Sequence, residues 1–142
     1  MFDGLDISSQ AIFVAPRDLL HWADRIRPHV LKMALGSGGR YEASDLFAAL
    51  ASGRMLLWVA VEGADVRCVM IGEIHTFPRL KLLRLIGLVG HRPHRWRHLL
   101  EFVERQAREQ FGCTMMESLH RPRFIALLRG FVTTHWLSEK RL

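Results

Sequence analysis

The stretch from Leu82 to Gly112, LLRLIGLVGHRPHRWRHLLEFVERQAREQFG, constrains the fold of this chain more than any other. Leu82 to Val89 is apolar on both alternating sets except at Arg84, the pattern of a strand covered on two faces. Trp96, Leu99, Leu100, Val103, Ala107 and Phe111 then recur at intervals of three and four and line one face of a helix. Pro93 suits the first helical position, where its missing N–H costs nothing. Glu101 with Arg105, and Glu104 with Arg108, are i,i+4 pairs of favourable order on the opposite face. Gly112 supplies a C-terminal stop. The turn between strand and helix is Gly90-His91-Arg92-Pro93-His94-Arg95. A covered strand, a tight turn and a helix N-terminus converge free N–H groups and a positive dipole end, which is the arrangement of an anion site.

The remaining segments are read around that unit. With 142 residues, 49% of them hydrophobic, the chain can bury a core, and residues 1–142 read as one domain. Residues 1–15 read as a mobile or docking N-terminal arm, within which Ala11 to Ala15 suits a short strand. Leu19, Trp22, Ala23, Ile26 and Val30 share a helical face after Pro16; Pro28 predicts a break near Ile26 and a second short helix to Leu35. Gly36 to Arg40 is a glycine-rich linker without the Gly-Lys-Ser/Thr ending of a phosphate-binding loop. Ser44 is the expected cap of a helix through Ala51, with Leu46, Phe47 and Leu50 inward and Gly53 as its stop. Met55 to Glu62 and Val66 to Phe77 are strands joined by a hairpin at Gly63-Ala64-Asp65, and Pro78-Arg79 turns the chain into Leu82 to Val89. By the period of two, Glu73 and His75 project to the same side. After the long helix come a strand from Thr114 to His120, a short helix from Pro122 to Arg129 and a last strand from Phe131 to Lys140. The fold class is therefore α+β, or mixed α/β: an antiparallel meander followed by helix, strand, helix, strand.

The charge balance narrows the partners without choosing one. Net charge is +6, the pI is near 10.3, and arginine supplies 17 of the 20 basic residues. Arginine's planar fork suits phosphate and carboxylate, so nucleic acid, a phosphorylated cofactor and an acidic protein surface all remain open. Cys68 and Cys113 show no CxxC or zinc-finger spacing and read as buried thiols of a reducing compartment, with a disulfide as the alternative. His91, His94 and His98 cluster at the start of the long helix, but three neighbouring arginines repel a cation, so no metal is expected. The N-terminal residues have no basic segment followed by a long apolar core, and the longest apolar run, Met55 to Val61, falls short of the ~20 residues that cross a bilayer. The expectation is a protein of the cytoplasm, or of a virus particle, without a membrane span.

This order of elements resembles the GNAT N-acetyltransferases over nearly the whole chain. The likeness is carried most locally by ALLRGF, with Gly130 and Phe131, ahead of a closing strand. The segments ALASGRMLLWVAVEG, GEIHTFP and ERQAREQFGC are also similar to small GNAT-like proteins of tailed phages, some of them virion-associated or assembly proteins. The resemblance implies an acetyl-CoA site built from the strand backbone at Gly87, Val89 and Gly90 and from the turn that follows. GNAT enzymes hold the pyrophosphate on a loop of the form Arg/Gln-x-x-Gly-x-Gly/Ala, whereas here His91 to Trp96 has no glycine and Pro93 removes a donor. Arg92 and Arg95 are the residues left to grip phosphate. Many members place a tyrosine acid four residues before the Gly-Phe, where this chain has Ala126; its one tyrosine is Tyr41. The remaining acid–base candidates are Glu73 and His75.

Three functions follow as expectations. The first is a non-catalytic GNAT-fold protein, a phage virion-associated or assembly module whose partners are other virion proteins; it needs no cofactor. The second is an N-acetyltransferase using acetyl-CoA, with Glu73, or a water held by His75, as base and Arg92 and Arg95 at a divergent pyrophosphate loop. The third is non-specific nucleic-acid binding through the arginines.

Overall fold

The computed structural model describes residues 9–90, 97–118 and 138–142. Among the described residues the framework is a five-stranded sheet in which the strands lie in chain order. Strands β1 (Ser9–Val14), β2 (Leu56–Glu62), β3 (Asp65–Thr76) and β4 (Lys81–Gly90) are antiparallel neighbours, and β5 (Met115–Ser118) joins β4 in parallel. The expected meander is β2–β3–β4, and its first hairpin turns at Gly63, whose φ of 59° suits a residue without a Cβ. The parallel fifth strand requires a crossover, which the helix α3 (Arg97–Glu109) supplies.

Helices α1 (Leu19–Leu35) and α2 (Ala43–Ala51) cover one sheet face, and α3 covers the other. The two apolar clusters divide along strand alternation. Leu57, Val59, Val61, Val69 and Ile71 join Ile26, Val30 and Met33 of α1 and Leu46 and Leu50 of α2. Trp58, Ala60, Cys68, Met70, Leu83 and Leu85 pack with Leu99, Leu100 and Val103 of α3. Covering on both faces explains why β2 and β4 read as apolar runs. Trp58 is fully buried, and its indole N–H donates to Gln106 Oε1 of α3 at 2.7 Å. The positive φ of Gly112 (68°) then frees the chain to turn into β5.

Several expectations are corrected. Pro28 does not break the first helix: α1 runs unbroken from Leu19 to Leu35. Pro28 lies on the exposed side, so the carbonyl it leaves without an amide donor faces solvent while Ile26, Val30 and Met33 stay anchored in the core. Glu42, and not Ser44, stands at the start of α2, where its backbone N–H donates to the Asp45 carboxylate at 2.8 Å. Within the expected arm 1–15, Ser9–Val14 is a sheet strand paired to β2 along its whole length. The short helix at 122–129, Gly130, Phe131, Ala126 and most of the last strand lie outside the described residues; at 138–142 the chain is in no strand. Among the described residues no helix is long and apolar enough to cross a membrane.

Candidate functional site

The register of β3, β4 and β5 assembles a polar cluster on an otherwise apolar sheet. Glu73 pairs with Arg84, and Arg84 pairs with Glu117, so three charged side chains stand in one row across three strands. His75 follows Glu73 on the same side, and its Nε2 lies 2.7 Å from Glu73 Oε1. Arg84 Nε donates to Glu117 Oε1 in an ion pair. Leu83 and Leu85 point to the α3 side, which places Arg84 on the α1–α2 side. The row sits just past the end of the apolar layer formed by Val69 and Ile71 of β3 under those helices. All four side chains are half-buried, with Glu73 23% and His75 29% exposed. A carboxylate only accepts hydrogen bonds, so an imidazole that donates to Glu73 from Nε2 has its Nδ1 lone pair left as a proton acceptor.

The β4 strand changes character immediately beyond this row. Its pairing with β3 shifts between Ile71 and Gly72: Gly72 faces Leu85 and Ile71 faces Gly87, leaving Ile86 as an extra residue. This bulge puts Ile86 and Gly87 on the same side, toward α1. The parallel ladder with β5 runs from Leu82 and Met115 to Leu85 and Ser118. From Gly87 to Gly90, β4 pairs only with β3 among the described residues, so the amide groups of its other edge have no ladder partner there.

The expected cofactor residues fall into two groups. Gly87, Val89 and Gly90 lie on this part of β4. Gly87 has a packing role of its own, because a Cβ there would stand 2.4 Å from Cγ and 2.5 Å from Sδ of Met33. Val89 packs against the α1–α2 cluster. Arg92 and Arg95, with His91 and His94, lie outside the described residues. Tyr41 packs at the edge of the α1–α2 cluster. Sequence reasoning found Glu73 and His75 together but missed their neighbours Arg84 and Glu117. The lone arginine in an apolar strand was the available signal; its partner on β5 depended on a register that no local pattern specifies.

Several arginines are already engaged within the protein. Arg25 lies 4.1 Å over the Trp22 ring, Arg27 lies 5.1 Å over Phe47, and Arg40 pairs with Glu139 at 2.8 Å. Both cysteines are free and buried. Burial pushes the Cys68 thiol well above its ordinary range; burial also raises Cys113, with Lys81 pulling the other way. Among the described residues no group of three or more His, Cys, Asp or Glu is placed to hold a metal. An open apolar groove of about 520 Å³ runs between α1 and α2, floored by Leu19, Ala23, Ala43 and Phe47.

Comparison with solved structures gives end-to-end matches. One is a predicted acetyltransferase from Clostridium acetobutylicum solved with acetyl-CoA, at 12% identity and a TM-score of 0.66, covering 93% of this chain and 96% of that one. Another is a ribosomal-protein-alanine N-acetyltransferase from Brucella melitensis, at 13% identity and a TM-score of 0.64, covering 94% and 97%. A third is a GCN5-related N-acetyltransferase from Ralstonia eutropha, at 17% identity and a TM-score of 0.66, covering 94% and 98%. No family model and no curated relative matches the chain. The fold is thus GNAT-like, a single mixed α/β unit of the size of these enzymes. The expected kinship with phage proteins finds no support in these three.

Proposed function

We propose that this chain, whose GNAT-like fold is shared with acetyltransferases over at least 93% of its length, is an acyl-CoA-dependent N-acyltransferase with a divergent cofactor mouth. The observation that carries this reading is the Glu73–His75 pair, 2.7 Å apart, in a half-buried polar row beside the point where β4 bulges and its ladder with β5 ends. An amine acceptor arrives as an ammonium ion and must lose a proton before it attacks an acyl carbon. Glu73 orients His75 and stabilises the imidazolium, while His75 Nδ1 receives the proton. Arg84, balanced by Glu117, sets a fixed positive charge beside Glu73 and keeps two neighbouring carboxylates from repelling each other.

The residues present fit acetyl-CoA at one observable point. The edge amides of β4 from Gly87 to Gly90, lacking a ladder partner among the described residues, offer donors and acceptors to an extended amide-bearing chain. When bound, acetyl-CoA supplies the activated acyl group; Arg92 and Arg95 are the side chains that would meet its phosphates. Calorimetric titration with acetyl-CoA, followed by thiol release over a panel of amines, tests the proposal. Micromolar binding is expected, with turnover falling about 100-fold or more in His75→Ala at unchanged stability. No heat with acetyl-CoA and no turnover on any amine would refute it.

A second reading, a non-catalytic interaction module such as a virion assembly protein, draws support from a different observation. Helix α1 exposes Leu20 almost completely beside the apolar groove. Exposed apolar surface of this kind marks contact sites. Copurification with particles, in the absence of coenzyme A binding, would favour it.

A further inference from the structure

We propose that Trp58 is a positioning residue for the Glu73–His75 pair, locking from the α3 side the joint between that pair and the open edge of β4. The consequence for turnover rests on the acyltransferase reading; the lock itself does not.

The joint is the register shift between Ile71 and Gly72. On one side of it Val69, Met70 and Ile71 pair with Gly87, Leu88 and Val89, the part of β4 whose other edge is open among the described residues. On the other side Glu73, Ile74 and His75 pair with Leu82, Leu83 and Arg84 and carry the polar row. The angle between these halves decides whether a base on the row meets an acyl group laid along the edge. Gly72 stands between them, and a glycine beside a broken ladder has no side chain with which to hold that angle.

Trp58 supplies the missing contact. A Cβ at Gly72 would stand 3.3 Å from Cζ3 of Trp58, 3.3 Å from the Arg84 carbonyl oxygen and 2.9 Å from Leu83 Cδ1. The indole and the backbone of β4 thus close on the space that the glycine leaves. The ring is fully buried and fixed in direction. Its N–H donates to Gln106 Oε1 at 2.7 Å, and Gln106 Nε2 donates in turn to Gln110 Oε1 at 2.8 Å, which sets the amide with its oxygen toward the indole. Phe13 packs beside the ring, with centroids 5.6 Å apart. An aliphatic side chain of similar bulk would fill the same volume, whereas the hydrogen-bonded tie also holds the ring in one orientation. Trp58 and Gln106 lie on the α3 side, across the sheet from the polar row, so they act on Glu73 through the backbone at Gly72.

Native-state amide hydrogen exchange of the full chain, read beside turnover, tests the proposal. Gln106→Ala frees the indole and should speed exchange of the protected amides at 72–74 and 83–85 by about 10-fold relative to those of Ile26 and Val30 in α1. Gly72→Ala, whose Cβ enters between ring and strand, should do the same with Gln106 in place, and Gln106→Glu, which keeps an acceptor oxygen, should restore slow exchange. Leu46→Ala in the other apolar layer should speed exchange without selecting these amides. On an amine that the wild type acetylates, Gln106→Ala should lower kcat about 10-fold while KM for acetyl-CoA stays within about twofold. Exchange that is unchanged or evenly faster in both Gln106→Ala and Gly72→Ala would overturn the lock, whatever the turnover. Selective exchange with undiminished kcat would overturn the positioning role. A wild type without turnover would remove the acyltransferase reading alone, and exchange would still decide the lock.

Discussion

Replacing Gly87 by alanine sets two physical effects against each other, and the structure says which prevails. The φ of Gly87 is not positive, so strand preference alone would reward alanine by about 0.5–1 kcal/mol. The added Cβ, however, would lie 2.4 Å from Met33 Cγ, 2.5 Å from Sδ and 3.0 Å from Cε, all well inside contact distance. Met33 is buried in the α1–α2 cluster and has little room to retreat. Overpacking of this kind costs roughly 1–3 kcal/mol, and a contact as close as 2.4 Å belongs in the upper half of that range, leaving a net loss of about 1–2.5 kcal/mol. In a urea titration that loss moves the midpoint down by roughly 0.5–1 M at constant slope. Met33→Ala alone should cost about 2–5 kcal/mol through the cavity it leaves. On that background Gly87→Ala should cost less than about 0.5 kcal/mol, because the offending atoms are gone, giving a strongly favourable coupling in the double-mutant cycle. If Gly87→Ala proves neutral or stabilising in the wild type, or costs as much without Met33 as with it, the packing account of this glycine is wrong.

Other expectations follow from the same reasoning. Pro28→Ala restores a backbone donor on the exposed side of α1 and should raise stability by about 1–3 kcal/mol in chemical denaturation. Gln106→Ala strands the buried Trp58 indole N–H and should cost about 1–3 kcal/mol, whereas Gln106→Glu keeps an acceptor oxygen and should cost clearly less. Cys68 carries a pH dependence of known sign, since burial raises its folded-state pKa above the unfolded one. Below about pH 8 both states hold the proton; as pH rises further the unfolded thiol ionises first, so folding stability declines. Cys68→Ala should flatten that decline between pH 8 and pH 10, measured as the difference in unfolding free energy between the two proteins.

What the sequence disclosed and what it withheld divide along the range of the interactions concerned. Strands β2 to β4 were legible because apolar runs, the glycine at position 63 and the proline at 78 are local signals with local causes. The Glu73–His75 pairing was legible because two residues on one strand share a side wherever that strand lies. Pro28 misled because the penalty of a helical proline is local, while the burial of Ile26, Val30 and Met33 that overrides it is tertiary. Ser44 misled because a nearby Glu42–Asp45 pair offered a competing start. Arg84 and Glu117 lie 33 residues apart and meet only after the α3 crossover sets a parallel register. Gly87 read as an opening for a ligand chain, yet its lack of a side chain is also demanded by Met33, a neighbour from another layer.

The extra residue at Ile86 has a further consequence for how this chain can vary. Upstream of it Leu85 belongs to the α3 layer; downstream Gly87 and Val89 belong to the α1–α2 layer, and Leu88 to the α3 layer. Losing that one codon would leave both layers as they are, because Ile86 and Gly87 share a side: Leu85, Gly87, Leu88 and Val89 would follow one another in plain alternation, each against the helix it already meets. Losing Leu88 instead would swing Val89 toward α3. Related chains should therefore vary in length along β4 at Ile86 more readily than at the residues on either side of it.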